Sequence, residues 1–181
     1  MSGHNKWTQI KHQKGVTDKR RGKLFTKLLR AITAAAKEES DPKYNPRLRT
    51  AITKAKDYSV PHENIERAVK KASIPGESLD ELLIEAYDKN GTAILIEAVT
   101  DNRNRTVAEI KKIFHDHDAK WAENGSVQWV FIRMSNEKEE QIWQPRFPEE
   151  IQSAQKEDLK KLINSLEERE DVQKIFVNAI L

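Results

Sequence analysis

The chain has 181 residues, 37% hydrophobic and 34% charged, which suits one large domain or two small ones under a densely charged surface. It has no cysteine, which excludes disulfides, thiolate metal sites and cysteine nucleophiles. The net charge of +3 hides an asymmetry: residues 1–76 carry 18 Lys+Arg against 7 Asp+Glu (+11), and residues 77–181 carry 14 against 22 (−8). A basic half joined to an acidic half predicts two folding units with different partners, the basic one suited to phosphate backbones.

Residues 1–16 are polar and basic with little periodicity, and read as an extended arm. From about Thr17, Leu24, Phe25, Leu28, Leu29, Ile32 and Ala36 fall at the three- and four-residue steps of one apolar helix face. This helix should end near Glu39. Asn45-Pro46 is a start signal, Asn as N-cap and Pro at the first helical position, for a helix carrying Leu48, Ala51, Ile52 and Ala55. Val60-Pro61 opens a third helix with Ile65, Ala68 and Val69 inward. Ile74-Pro75-Gly76 ends the bundle.

Beyond it the period changes. Leu82 to Tyr87 reads as a strand, Asn90-Gly91 as a hairpin turn, and Thr92 to Thr100 as a central strand. Thr106 and Glu109 read as a capping box ahead of a helix holding Val107, Ile110, Ile113 and Phe114. Val127, Trp129 and Phe131 read as alternate positions of another strand, and Glu139 to Trp143 as a short one. Lys156 to Glu168 reads as a helix, and Val172 to Val177 as a closing strand. The expected fold class is α+β: an N-terminal three-helix bundle over 1–76, then an α+β domain over 77–181 with a mostly antiparallel sheet and two helices.

The strongest chemical signal is at the start. Lys6, Lys11, Lys14, Lys19, Arg20, Arg21, Lys23, Lys27 and Arg30 face one acid, Asp18, within thirty residues. Arg20, Lys23, Lys27 and Arg30 step by three, four and three, which makes a cationic stripe beside the apolar face. Trp7, with His4 and His12, interleaves an aromatic platform with the cations, as single-strand and RNA contacts do. The competing reading is a solvated helix face with Trp7 as a core anchor.

A second candidate is Thr100 to Thr106, where Arg103 and Arg105 would clamp phosphate. The alternative there is that Asp101, Asn102 and Asn104 satisfy turn and helix-start amides while the arginines pair with acids. His115 and His117 flank Asp116, but a spacing of two does not put both on one helix face, and satisfied or exposed histidines are expected rather than metal ligands. No phosphate-binding glycine loop, nucleophile elbow or HExxH is present. A non-enzymatic protein without cofactor or small-molecule substrate is expected. The opening residues lack the apolar core of a secretory signal, and no apolar run approaches a membrane span, so a cytoplasmic protein is expected.

Several strings resemble the YebC/PmpR family: Gly3-His4-Asn5-Lys6-Trp7, Ile10 to Lys14, Arg21 to Lys27, Asn45 to Arg49, Asn64 to Ala68, Thr100 to Glu109 and Gly125-Ser126-Val127. The resemblance implies a helical first domain and two α+β domains, the third inserted within the second. It also implies nucleic-acid binding, described for the family both as DNA-binding transcriptional regulation and as ribosome-associated translational activation that relieves stalling at proline-rich stretches. This chain departs from the pattern. Met134 to Gln141 is a short acidic link, and Ile142 to Pro145 looks like a re-entry strand, so the third domain is expected to be missing. The favoured reading is a translation factor on ribosomal RNA that binds through Lys6, Trp7, Lys11, His12, Lys14, Arg20, Arg21, Lys23, Lys27 and Arg30, with Arg103 and Arg105 assisting. The alternative is a DNA-binding transcriptional regulator.

Overall fold

The computed structural model describes residues 18–77, 79–136 and 140–181. The chain divides into two units, Met1–Ser78 and Leu79–Leu181.

In the first unit, α1 (Asp18–Ala36), α2 (Pro46–Asp57) and α3 (His62–Lys71) enclose one core. Leu24, Leu28 and Ile32 of α1 pack against Leu48 and Ala55 of α2 and Ile65 and Ala68 of α3. Asn45 fixes the first corner. Its side-chain oxygen accepts from the amide of Leu48 at 2.9 Å. Its amide nitrogen donates to the carbonyls of Ala35 at 2.8 Å and Glu39 at 2.7 Å. One buried side chain thereby starts α2 and stops α1, serving groups that helix ends leave unpaired. The Thr33 hydroxyl donates to the Ala68 carbonyl at 3.0 Å and ties α1 to α3. The third helix begins at His62, with Pro61 in the cap position rather than the first turn.

In the second unit, β1 (Asp80–Tyr87), β2 (Ala93–Thr100), β3 (Lys120–Trp121) and β6 (Val172–Val177) form an antiparallel sheet in the order β3-β1-β2-β6. The Asn90-Gly91 turn joins β1 to β2. Gly91 takes φ 90°, and the Asp88 carboxylate accepts from the amides of Asn90 and Thr92, both at 2.8 Å. Helices α4 (Arg103–Asp116) and α5 (Ser153–Glu167) cover one sheet face. There Ile84, Ile94 and Ile96 meet Ile110, Phe114, Leu159 and Leu162. A two-stranded hairpin of β4 (Phe131–Ser135) and β5 (Gln141–Pro145) follows a short 3-10 turn, Gln128–Val130. The turn and hairpin cover the other face, where Leu95 meets Ala122, Val127, Val130 and Phe131.

Elements of the second unit also differ from the sequence reading: β3 is an additional strand, and the helix read from Lys156 begins at Ser153. Of Val127 to Phe131 only Phe131 is in a strand, as the first residue of β4; Gln128–Val130 form the turn that leads into it. The cause is Glu85, a residue of β1 that is 2% exposed. Its carboxylate accepts from the amides of Gly125 and Val127, each at 2.6 Å, and of Gln128 at 2.9 Å. Three amides aimed at one side chain cannot also join a ladder. The second strand of the hairpin starts at Gln141, not Glu139. The predicted capping box at Thr106 is absent: α4 starts at Arg103, with Asn102 accepting from the amide of Arg105 at 3.1 Å. Thr106 lies inside the helix, buried.

Replacing Glu85 by Ala should lower unfolding free energy by about 3 kcal/mol or more, because three buried donors lose their acceptor. Glu85→Gln should recover part of it, since one acceptor oxygen remains; urea titrations of both variants check the order. Asp158 on α5 bonds Lys89 at 2.7 Å. That hydrogen bond, with the charges of Lys89 and Lys161, holds its carboxyl below the ordinary value against opposing desolvation. A carboxyl depressed in the fold stabilises above its unfolded value, and that contribution is lost as pH falls through the folded value. The pair is exposed, so the effect is small and screened by salt. Asp158→Asn should therefore shallow the acid limb of a stability-versus-pH curve below the ordinary carboxylate range, and 1 M salt should erase the difference.

Candidate nucleic-acid interface

The arm residues Lys6, Trp7, Lys11, His12 and Lys14 lie outside the described residues. On α1 the cations divide. Arg20 and Arg21 are exposed, and Lys23 and Arg30 are half-buried. Arg21 rests over the ring of Phe25 at 5.3 Å, one helical turn on. Lys27 departs from the expected stripe: it is 3% exposed. It lies roughly 60° around the helix from Leu24, at the border of the buried face. The surface stripe is therefore Arg20, Lys23 and Arg30.

The later helices add cations that a count over the first thirty residues misses. Lys56 of α2 and Arg67 and Lys70 of α3 are exposed. Their sequence signal was the +11 balance of residues 1–76, which no single motif concentrates.

The Thr100 to Thr106 segment is built around a buried carboxylate. The hydroxyls of Thr100 and Thr106 both donate to Asp171 Oδ2, and the amide of Asn102 donates to the Thr100 hydroxyl at 2.9 Å. The backbone carbonyl of Asp171 accepts from the amide of Val99 at 2.8 Å. Arg105 donates to Asp101 at 2.6 Å and to Asp171 at 3.3 Å. The Asp101 bond first, and Asp171 second, raise its guanidinium above its usual value. Arg105 is thus bound to acids of its own unit, and Asn102 serves the helix start, as the structural alternative for this loop expected. Arg103 is different: it is exposed, and it makes no hydrogen bond or ion pair among the described residues. The two arginines are thus placed differently, one paired with acids and one exposed.

His117 Nε2 lies 3.0 Å from the Ser165 hydroxyl, and His115 is exposed. Among the described residues no cluster of three metal-ligating side chains occurs, and no helix is long and apolar enough to cross a membrane.

Comparison with known proteins adds the lineage. A model of the TACO1/YebC protein N-terminal domain matches residues 5–74, and one of the TACO1/YebC second and third domain matches residues 79–136. The chain belongs to the TACO1/YebC family. This is the YebC/PmpR family that its motifs resemble. A probable transcriptional regulatory protein of Desulfosudis oleivorans is 52% identical over 134 residues, 72% of this chain and 54% of that protein. One of Geobacter sulfurreducens is 50% identical over the same length and shares. The chain thus spans about half the length of these curated relatives. The crystal structure of a conserved hypothetical protein from Aquifex aeolicus matches with a TM-score of 0.85 and 32% identity, covering 96% of each chain.

Lys27→Glu should destabilise the first unit by about 3 kcal/mol or more, since it reverses a charge at a buried position. Arg20→Glu should leave stability within about 0.5 kcal/mol, as an exposed substitution does. Thermal melts of the two variants side by side check the distinction.

Proposed function

We propose that this chain is a non-enzymatic, cytoplasmic regulator of gene expression that docks on ribosomal RNA through its basic N-terminal unit. The observation that carries the reading is the charge separation, +11 over residues 1–76 against −8 over residues 77–181. Arg20, Arg21, Lys56, Arg67 and Lys70 are exposed on the basic side. The contact set is Arg20, Arg21, Lys23 and Arg30 of α1, with Lys6, Trp7, Lys11, His12 and Lys14 of the arm. Helix α1, DKRRGKLFTKLLRAITAAA, contains no Asn or Gln. Its Lys and Arg suit phosphates better than adenine edges, which favours a backbone-tracking partner over a base-reading one. Arg103 remains available to assist, and Arg105 acts by positioning the loop.

The second reading is a DNA-binding transcriptional regulator. It is favoured by the name that the relatives carry, probable transcriptional regulatory protein. In either case our reading is that the second unit lacks an inserted third domain, supported by the match to the second-and-third-domain model over residues 79–136 and by the pairing of β5, from Gln141, with β4.

Crosslinking in cells followed by sequencing of the bound nucleic acid separates the readings. Ribosomal RNA is the expected product, and promoter DNA would establish the second. In vitro, Arg20→Glu with Arg21→Glu should weaken binding on the order of tenfold and lower the slope of log K against log salt by about 1.5, for two lost phosphate contacts. An unchanged slope in an anisotropy titration would remove α1 from the interface.

A further inference from the structure

Strand β1 has a side that its sheet leaves open. The Glu85 carbonyl faces away from β2 and accepts from the amide of Ala122 at 2.9 Å. Strand β3 then pairs with Ala86 and Tyr87 and goes no further. By the alternation of an antiparallel ladder, the N–H and C=O of Leu83 face the same way as those of Glu85. No residue bonds them among the described residues. Exposed edges are usually blunted by a lysine, a proline or a covering loop. This one opens onto a cleft of about 250 Å³. Arg103 and Val107 of α4 line the cleft on the helix side of the sheet, Asn124 and Gln128 on the other, and Trp121 lies at the β3 end.

The geometry points to a strand-addition site for an extended peptide bearing an acidic side chain. The peptide backbone would bond the N–H and C=O of Leu83, the means by which strands join sheet edges. Side chains of an added strand alternate between the two faces. Those on the helix side meet Val107 and Arg103; those on the other side meet the amides of Asn124 and Gln128. The acidic preference comes from Arg103, exposed and without an ion pair among the described residues, in the first turn of α4 where the helix dipole is positive. Of the two carboxylates in the lining, Glu85 has both oxygens taken by backbone amides, and Glu81, by the alternation of β1, lies with Leu83 on the sheet face opposite Arg103. RNA fits the cleft less well. A donor and an acceptor on one residue of a strand match a peptide backbone, and the Trp121 ring already holds Lys111 at 5.1 Å where a base would stack. The site lies wholly in the second unit and does not rest on nucleic-acid binding by the first.

The test is selection of a random octapeptide display library on the full chain, with counter-selection on the Arg103→Glu protein. Recovered peptides should share an Asp or Glu with an apolar residue two positions away. They should bind about tenfold more weakly to Arg103→Glu, and a Lys in place of the shared acid should reverse that preference. A recovered peptide should also slow hydrogen exchange at the Leu83 amide of the unaltered chain about tenfold or more, which reads the backbone contact independently of Arg103. No enrichment over Arg103→Glu, or unchanged exchange at Leu83, overturns the proposal. So does a ribosomal RNA fragment that slows Leu83 exchange where no peptide does.

Discussion

Strand β2 is buried on both faces, and the rest of the second unit is arranged to meet that demand. Ile94, Ile96 and Ala98 need an apolar layer on one side, and Ala93 and Leu95 need one on the other. Helices α4 and α5 supply the first. The second is harder to supply, because the segment after β3 is short and rich in polar groups. Glu85 resolves this by gathering the amides of Gly125, Val127 and Gln128, which turns Val127, Val130 and Phe131 down onto Leu95. The hairpin then extends that cover to Trp143, whose indole donates to Glu97 at 2.9 Å. A buried charge fully used by backbone donors shapes the apolar layer around it.

The same economy governs the loop between β2 and α4. Thr100, Thr106 and Arg105 converge on Asp171, at the entry to β6. The central strand, the start of a helix and the far strand are thereby tied at one end of the sheet. A polar string that looks built for a ligand is mostly occupied with holding the fold, and Arg103 is the arginine of the pair left to face outward. In the first unit the same sorting occurs on α1, where Lys27 joins the interior and Arg20 and Arg21 stay at the surface. Charge on a helix contributes to binding only where packing leaves it at the surface.

The legible parts of the fold are those set by neighbours in sequence. Asn45-Pro46 and the Asn90-Gly91 turn behave as their local chemistry demands, and β6 spans Val172–Val177 as the pattern predicts. The β-branched, apolar run from Thr92 to Thr100 identifies the central strand. The misread parts are set by residues far away in sequence. The turn at Gln128–Val130 answers to Glu85, some forty positions earlier. Thr106 has the spacing of a capping box, but Asn102 offers the helix start a cap one turn sooner, and the hydroxyl goes to Asp171 instead.

From its sequence alone the chain is a two-unit α+β protein of this family with its positive charge gathered in the first unit, because composition, periodicity and turn residues act locally and survive any packing. Tertiary structure decided which charges remain at the surface. Lys27 is buried although it carries a charge, Arg105 is paired because Asp171, at the entry to β6, lies beside it, and the β1 edge stays open because β3 ends after two residues. Each outcome depends on where a distant segment lands, which spacing along the chain does not encode.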